Sequence, residues 1–161
     1  MTLRVFTVTV SDSRTPETDT AGVKLKEALT KAGFRIVRHV IVKDEVQHIQ
    51  ELVRSVSTEN LADAVILSGG TGIAPRDVTT EALNAIYEKR IDGFGEEFRR
   101  KSIESIGPRA MLSRASAGTF DGCVIFSLPG SSKAAAFGVE MIIPILEHAC
   151  EQALGTRTSH G

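Results

Sequence analysis

The sequence predicts an α/β domain with a mostly parallel sheet that ends in an antiparallel hairpin towards the carboxyl end. Three observations carry this expectation. Short β-branched runs alternate with segments of helical period over the first half of the chain, a glycine-rich turn follows a wholly apolar strand, and an Asp-Gly pair joins the last two strand-like runs.

Arg4 to Val10 is rich in Val and Thr and stops at the polar run Ser11-Asp12-Ser13-Arg14, which makes a strand followed by a loop. Asp19 is placed to cap a helix in which Leu25, Ala28, Leu29 and Ala32 share one face, and Gly33 is placed to end it. Arg35 to Val42 reads as the second strand. Asp44 and Gln47 have the spacing of a capping box for a helix whose stripe is Val46, Ile49, Val53 and Val56. Ala64 to Leu67 is a short apolar strand. Crossovers between parallel strands are right-handed, and ligands sit at the strands' carboxyl ends. Thr79 to Tyr87 and Gly95 to Ile106 read as helices, and Ala117 to Ser127 as a hairpin turning at Asp121-Gly122. The last helix begins near Ser131 or Ser132 and carries Val139, Ile142, Ile143, Leu146 and Ala149 on one face, with a kink expected at Pro144. Residues 1–154 then form one domain and 155–161 a flexible tail.

With 161 residues, 42% of them hydrophobic, the chain can bury the core of one domain. Nineteen Lys and Arg against twenty Asp and Glu give a net charge of −1, which excludes a broad basic field for nucleic acid or an anionic bilayer. An anionic ligand has to be caught locally. Seven Phe, one Tyr and no Trp leave few platforms for stacking bases. Cys123 and Cys150 have no CxxC partner and read as small core residues of a protein in a reducing compartment. The apolar stretch from Val5 to Val10 is too short for a signal peptide or a membrane span, so a cytoplasmic protein is expected.

The most unusual stretch is Ser68-Gly69-Gly70-Thr71-Gly72. Glycines directly after a buried strand let backbone N–H groups converge into a concavity that holds phosphate. The spacing is neither GxGxxG nor a Walker loop, and a tight structural turn is the alternative. Arg76-Asp77 follows at once. A carboxylate beside a phosphate is repelled unless a divalent cation lies between them, so Asp77 points to magnesium, with a helix cap before Val78 as the other reading. Asp44 carries the same ambiguity. Ser11 to Arg14 either contacts ligand or makes an ordinary turn, and Gly93 to Phe98 is either a helix start with acidic residues or a lid. Leu128-Pro129-Gly130-Ser131-Ser132-Lys133 offers a second anion cradle before the last helix. His39, His48, His148 and His160 have no metal-binding spacing and read as surface or core residues.

Taken together and in this order, Thr7-Val8-Thr9-Val10-Ser11-Asp12-Ser13-Arg14, Ser68-Gly69-Gly70-Thr71-Gly72, Pro75-Arg76-Asp77-Val78-Thr79, Gly93-Phe94-Gly95-Glu96 and Leu128-Pro129-Gly130-Ser131 resemble the MoaB/MogA family of molybdenum cofactor biosynthesis. The resemblance runs over about residues 3 to 150. It implies a molybdopterin-binding fold, a three-layer α/β sandwich assembled as homotrimers or homohexamers. Active members are molybdopterin adenylyltransferases, which use magnesium and ATP to make adenylyl-molybdopterin and pyrophosphate. Residue by residue, it implies nucleotide phosphates at Ser68 to Gly72, and Asp44 and Asp77 match the family's two functionally important acids, expected here to be catalytic and metal-holding. It further implies ligand contacts from Ser11, Asp12, Ser13, Arg14, Arg76, Thr79, Gly95, Glu96, Pro129, Gly130, Ser131 and Ser132. The short carboxyl end and the Leu-Pro-Gly-Ser-Ser-Lys-Ala run look closer to MoaB than to MogA. Some MoaB-like members lack the acid of the Arg-Asp-Val-Thr run; here Arg76-Asp77-Val78-Thr79 and Asp44 are intact, which implies a competent enzyme. The competing expectations are a module that holds molybdopterin or its precursor without chemistry, and an oligomeric scaffold. ATP, molybdopterin and other cofactor-biosynthesis proteins are the partners expected, with no nucleic acid and no membrane.

Overall fold

The computed structural model describes residues 2–155. In chain order the elements are β1 (Arg4–Val10), α1 (Thr20–Lys31), β2 (Arg35–Val42), α2 (Val46–Thr58), β3 (Ala64–Ser68), α3 (Thr79–Asn84), β4 (Lys89–Arg90), α4 (Asp92–Ile106), a 3₁₀ turn (Pro108–Leu112), β5 (Ser116–Phe120), β6 (Cys123–Leu128) and α5 (Ser132–Leu154). The strands form one sheet in the order β2-β1-β3-β6-β5-β4. β2, β1, β3 and β6 are parallel, and β5 and β4 complete the sheet antiparallel to their neighbours.

Because successive strand residues face opposite sides, β1 contributes to two cores. Val5 packs with Leu25 and Leu29 of α1, Phe94 and Phe98 of α4, and Val139, Ile142 and Leu146 of α5. Phe6, Val8 and Val10 pack on the other face with Ile49, Val53 and Val56 of α2 and Ala82 and Leu83 of α3. The expected three-layer α/β architecture is therefore what the chain adopts. From β1 the chain runs outward to β2, then returns past β1 to β3, so the loops after β1 and β3 leave in opposite directions. Such a switch point opens a crevice at the carboxyl edge of the sheet.

Several boundaries differ from those the sequence predicts. The Asp44–Gln47 capping box does not form: Glu45 precedes α2 without a side-chain cap, Asp44 accepts the N–H of Asp12, and Gln47 donates to Glu51. A partner across space outcompetes the local one. The helix expected to reach Tyr87 stops at Asn84, because Tyr87 is drawn onto the hairpin. Its hydroxyl lies 2.8 Å from that of Ser116, and its ring occupies the space that a Cβ on Gly118 would need. α4 begins at Asp92 rather than Gly95, so Gly93 to Phe98 is helix and not a lid. β4 and the 3₁₀ turn have no counterpart in the sequence reading. The hairpin turns where expected, at Asp121 (φ 46°) and Gly122 (φ 82°), the left-handed pair of a two-residue turn. α5 is continuous through Pro144, and Gly155 caps it in the left-handed region. The rest of the expected tail, 156–161, lies outside the described residues.

Cys123 and Cys150 are buried, and burial pushes both thiols up to about 12, as befits core residues rather than nucleophiles. Among the described residues no helix is long and apolar enough to cross a membrane.

Phe98 is 2% exposed and contacts the rings of Phe94 and Phe137 at centroid distances of 6.1 and 6.0 Å. Phe98→Ala is expected to lower the unfolding free energy by about 3–5 kcal/mol, read from the shift in urea midpoint.

Candidate functional site

At the carboxyl ends of β1, β3 and β6 lies a cavity of about 490 Å³ whose wall includes Ser68 to Gly72. The geometry of this turn follows from its glycines. Gly69 (φ 106°) and Gly70 (φ 73°) are in the left-handed region. A Cβ on Gly69 would stand 2.2 Å from the carbonyl oxygen of Val10, and one on Gly70 2.2 Å from Thr79 Oγ1. Only glycine lets the exit of β3 lie so close to the end of β1.

The four carbonyls of Gly69 to Gly72 are held from behind. Thr79 donates its hydroxyl to Gly69 O (2.8 Å) and its N–H to Gly70 O (3.0 Å). Arg114 donates its N–H to Thr71 O and its Nε to Gly72 O, both at 2.9 Å, while its remaining nitrogens bind Asp77 O and the Glu81 carboxylate. Gly69 N–H is tied to Leu128 O of β6. The N–H groups of Gly70, Thr71 and Gly72 have no hydrogen-bond partner among the described residues. Ser68 Oγ is buried and likewise has none. A turn with all its acceptors occupied and its donors available is suited to an anion.

Carboxylates surround this cradle. Asp44 Oδ2 accepts the N–H of Asp12 (2.9 Å) and Asp12 Oδ1 accepts the N–H of Asp44 (3.0 Å), a reciprocal brace between the loops after β1 and β2. Asp12 Oδ2 takes Arg76 Nε and one terminal nitrogen at 2.9 and 2.7 Å, and this ion pair holds the Asp12 carboxyl below the usual range. Asp44 has no such cation of its own. Burial, reinforced by the charges of Asp12 and Asp77, raises its pKa despite the Asp12 N–H and Arg76. Its Oδ1 faces Gly70, while Asp77 Oδ2 faces Gly72 and accepts the N–H of Ala74 (3.0 Å). Neither acid caps a helix, since α2 and α3 begin without side-chain caps.

The structure gathers Ser11, Arg14, Asp44, Ser68 to Gly72, Asp77, Pro129 and Gly130 around one cavity. Asp12, Arg76 and Thr79 stand behind it as braces. Ser13 lies in the loop, donating its N–H to Ser11 Oγ. Ser131 Oγ accepts the N–H of Ala134 as the cap of α5, with Ser132 and Lys133 in the first turn. Gly95 and Glu96 are not brought here: Gly95 lines a neighbouring cavity with Tyr87 and Arg99, and Glu96 is exposed on α4. Sequence reasoning did not assign Thr9, Leu112, Ser113 or Arg114 to the site, and it read Asp19 only as a cap.

Asp19 does cap α1, accepting the N–H of Gly22 at 2.9 Å, but it also lines the cavity and is 5% exposed. Burial works against its charge; the bonds from His39, Gly22 and Thr9 outweigh it and hold the carboxyl below the usual range.

Comparison with known proteins adds the relationship. A family model described as "Probable molybdopterin binding domain" matches residues 6–148. Molybdenum cofactor biosynthesis protein B of Bacillus cereus is 47% identical over 148 residues, covering 91% of this chain and 88% of that protein. A crystal structure of a molybdenum cofactor biosynthesis protein B superposes with a TM-score of 0.89 at 44% identity, covering 95% of this chain and 96% of the other. For the molybdopterin biosynthesis enzyme MoaB of Thermus thermophilus the TM-score is 0.86 at 33% identity, with 96% and 98% covered. With its family-wide match, its fold and the motifs that build the cleft all in agreement, the chain belongs to the MoaB/MogA family of molybdenum cofactor biosynthesis proteins.

Proposed function

We propose that the protein is a molybdopterin adenylyltransferase of molybdenum cofactor biosynthesis. The terminal phosphate of molybdopterin forms a bond to the α-phosphorus of ATP as the bond to the bridging oxygen breaks, giving adenylyl-molybdopterin and pyrophosphate. One observation carries this reading: the braced turn with its available N–H groups lies between two carboxylates, Asp44 and Asp77. Amides alone would serve any phosphate. Carboxylates beside them oppose the ligand unless a divalent cation intervenes. The substrate class comes from the relatives, which are named for this pathway, and from the matching domain, described as molybdopterin binding.

Among the described residues no three His, Cys, Asp or Glu side chains form a metal cage. One or two carboxylates completed by phosphate oxygens and water is nevertheless the usual way magnesium is held beside a nucleotide. Asp77 and Asp44 would hold the ion, which when bound offsets charge on the transferring and leaving phosphates. The chain's own part is positioning. The Gly70, Thr71 and Gly72 amides orient phosphate oxygens, Arg14 adds a cation at the edge of the cleft, and the Asp12–Arg76 pair keeps Asp44 in place. A phosphate nucleophile is already ionised at neutral pH, so no strong general base is required. In the same proposal the protein acts in the cytoplasm as a homotrimer or homohexamer alongside other enzymes of the pathway.

Incubation with molybdopterin, magnesium and ATP is expected to yield adenylyl-molybdopterin and pyrophosphate. Bound but unchanged pterin would identify a carrier instead, and neither product nor binding a scaffold. Asp77→Asn should lower turnover by about 100-fold while molybdopterin affinity changes only a few-fold; full magnesium-dependent activity in that variant removes the role given to Asp77.

Stability should move the other way for Asp44. Its folded-state pKa is raised, so the native state binds more protons than the unfolded chain just above the ordinary carboxylate range, and stability falls as pH rises through that window. Asp44→Asn retains an acceptor for the Asp12 N–H without the charge. Its melting temperature is expected to exceed that of the wild type at pH 7, the difference shrinking as the pH approaches 4, which differential scanning calorimetry at the two values checks.

A further inference from the structure

Asp19 belongs to two cavities. It lines the cleft of the candidate site, and with Arg14 it also lines an outer cavity of about 440 Å³ that takes in Lys26 and His39. His39 stands on β2, the edge strand, directly beside Thr7 in the β1–β2 register, and its side chain keeps 13% exposure. Its Nε2 is 2.7 Å from Asp19 Oδ2 and its Nδ1 is 2.7 Å from Thr7 Oγ1. Thr9 donates its hydroxyl between the two Asp19 oxygens, at 2.9 and 2.8 Å. A hydrogen-bonded chain thus runs from Thr7 through His39 and Asp19 to Thr9, linking the outer cavity with the wall of the cleft.

The surrounding helix leaves room for this chain. A Cβ on Gly22 would fall 2.3 Å from Asp19 Oδ2 and 2.6 Å from His39 Nε2. Thus the α1 residue that meets the contact has no side chain to obstruct it.

An ionised carboxylate in the wall of a cleft that takes phosphates opposes them. Neutral imidazole, donating its Nε2–H to Asp19, leaves that charge in place; imidazolium cancels it. The Thr7 hydroxyl can donate to Nδ1 or accept from it, so both forms of the ring are hydrogen-bonded without rearrangement. Besides Asp19, the charged groups that line the outer cavity with the ring are Lys26 from α1 and Arg14 from the loop, both cationic; β1 presents the Thr7 and Thr9 hydroxyls to the ring, and Ile41 of β2 lines the same cavity.

We propose that His39 is a positioning residue of the cleft which, through its bond to Asp19, couples phosphate affinity to pH, binding tightening as the imidazole gains a proton. The proposal rests on the reading of the cleft as a phosphate site and not on the transfer chemistry.

The test is calorimetric binding of inorganic pyrophosphate to the wild type, His39→Gln and Asp19→Asn between about pH 5.5 and 8. Gln keeps an N–H for Asp19 but does not titrate, and the ratio of wild type to variant cancels the titration of pyrophosphate itself. From the upper to the lower pH the wild type is expected to gain about three- to tenfold in affinity relative to His39→Gln. Asp19→Asn, which can still cap α1, should bind at the upper pH about as tightly as the wild type binds at the lower. A wild-type to His39→Gln ratio that stays constant across the range overturns the proposal, since that is the signature of a purely structural histidine. So does Asp19→Asn binding no tighter than wild type at the upper pH, which decides the matter if His39→Gln fails to fold. Absence of pyrophosphate binding at every pH also overturns it, whereas absence of adenylyl-molybdopterin with pyrophosphate still bound refutes only the transfer reading.

Discussion

The cleft depends on one constraint: the four carbonyls of the Gly69–Gly72 turn are all occupied from the protein side. Thr79 fixes the first two and Arg114 the last two, so the peptide planes cannot rotate to offer oxygen to the cavity. An anion site made of backbone needs this rigidity, because a peptide free to turn presents a partial negative charge as readily as a partial positive one. Arg114 is itself held by the Glu81 carboxylate, with side-chain exposures of 32% and 52% for the pair. Such an ion pair contributes little stability; its value is geometric, in orienting the guanidinium across two carbonyl groups, those of Gly72 and Asp77.

The proposed function therefore asks a near-neutral protein to handle a polyanion without a basic surface. The cleft carries more acidic than basic side chains in its wall, Asp19, Asp44 and Asp77 against Arg14, and compensates locally. Each acid has a different arrangement. The Asp19 carboxylate accepts hydrogen bonds from Gly22 and Thr9 and is bonded to His39, Asp77 accepts the N–H of Ala74, and Asp44, braced by Asp12, is left with a raised pKa and an oxygen facing Gly70. Asp44 and Asp77 both turn an oxygen towards the cradle without an ion-pair partner among the described residues, the pattern expected of carboxylates whose partner arrives with the ligand.

Much of this was legible in the sequence because it is local. β1 and β2, α1 with its Asp19 cap, the Asp121-Gly122 turn and the glycine cradle are each specified by residues within a few positions of one another. What was hidden depends on distance. Asp44 matches a capping box by spacing, yet its carboxylate is taken by Asp12, 32 positions away. Arg114 reads as one charge among many until the fold sets it against Gly72, 42 positions earlier. Thr9 is a β-branched strand residue and His39 an isolated histidine; only pairing of β1 with β2 brings them to Asp19. Gly95 and Glu96 differ in the opposite direction, since their motif is visible in sequence while neither residue on α4 lines this cavity.

The order in which the chain is made also matters to the cleft. Gly69 N–H is satisfied by Leu128 O, and the Thr71 and Gly72 carbonyls by Arg114, so a nascent chain that has emerged only as far as α3 holds every glycine of the turn but none of these later braces. Such non-local contacts carry the entropic cost of closing a long loop. Synthesis must pass Leu128 before the N–H groups are set outward. A chain cut short before Leu128 therefore carries the whole glycine turn without the bond from Gly69 that ties it to β6.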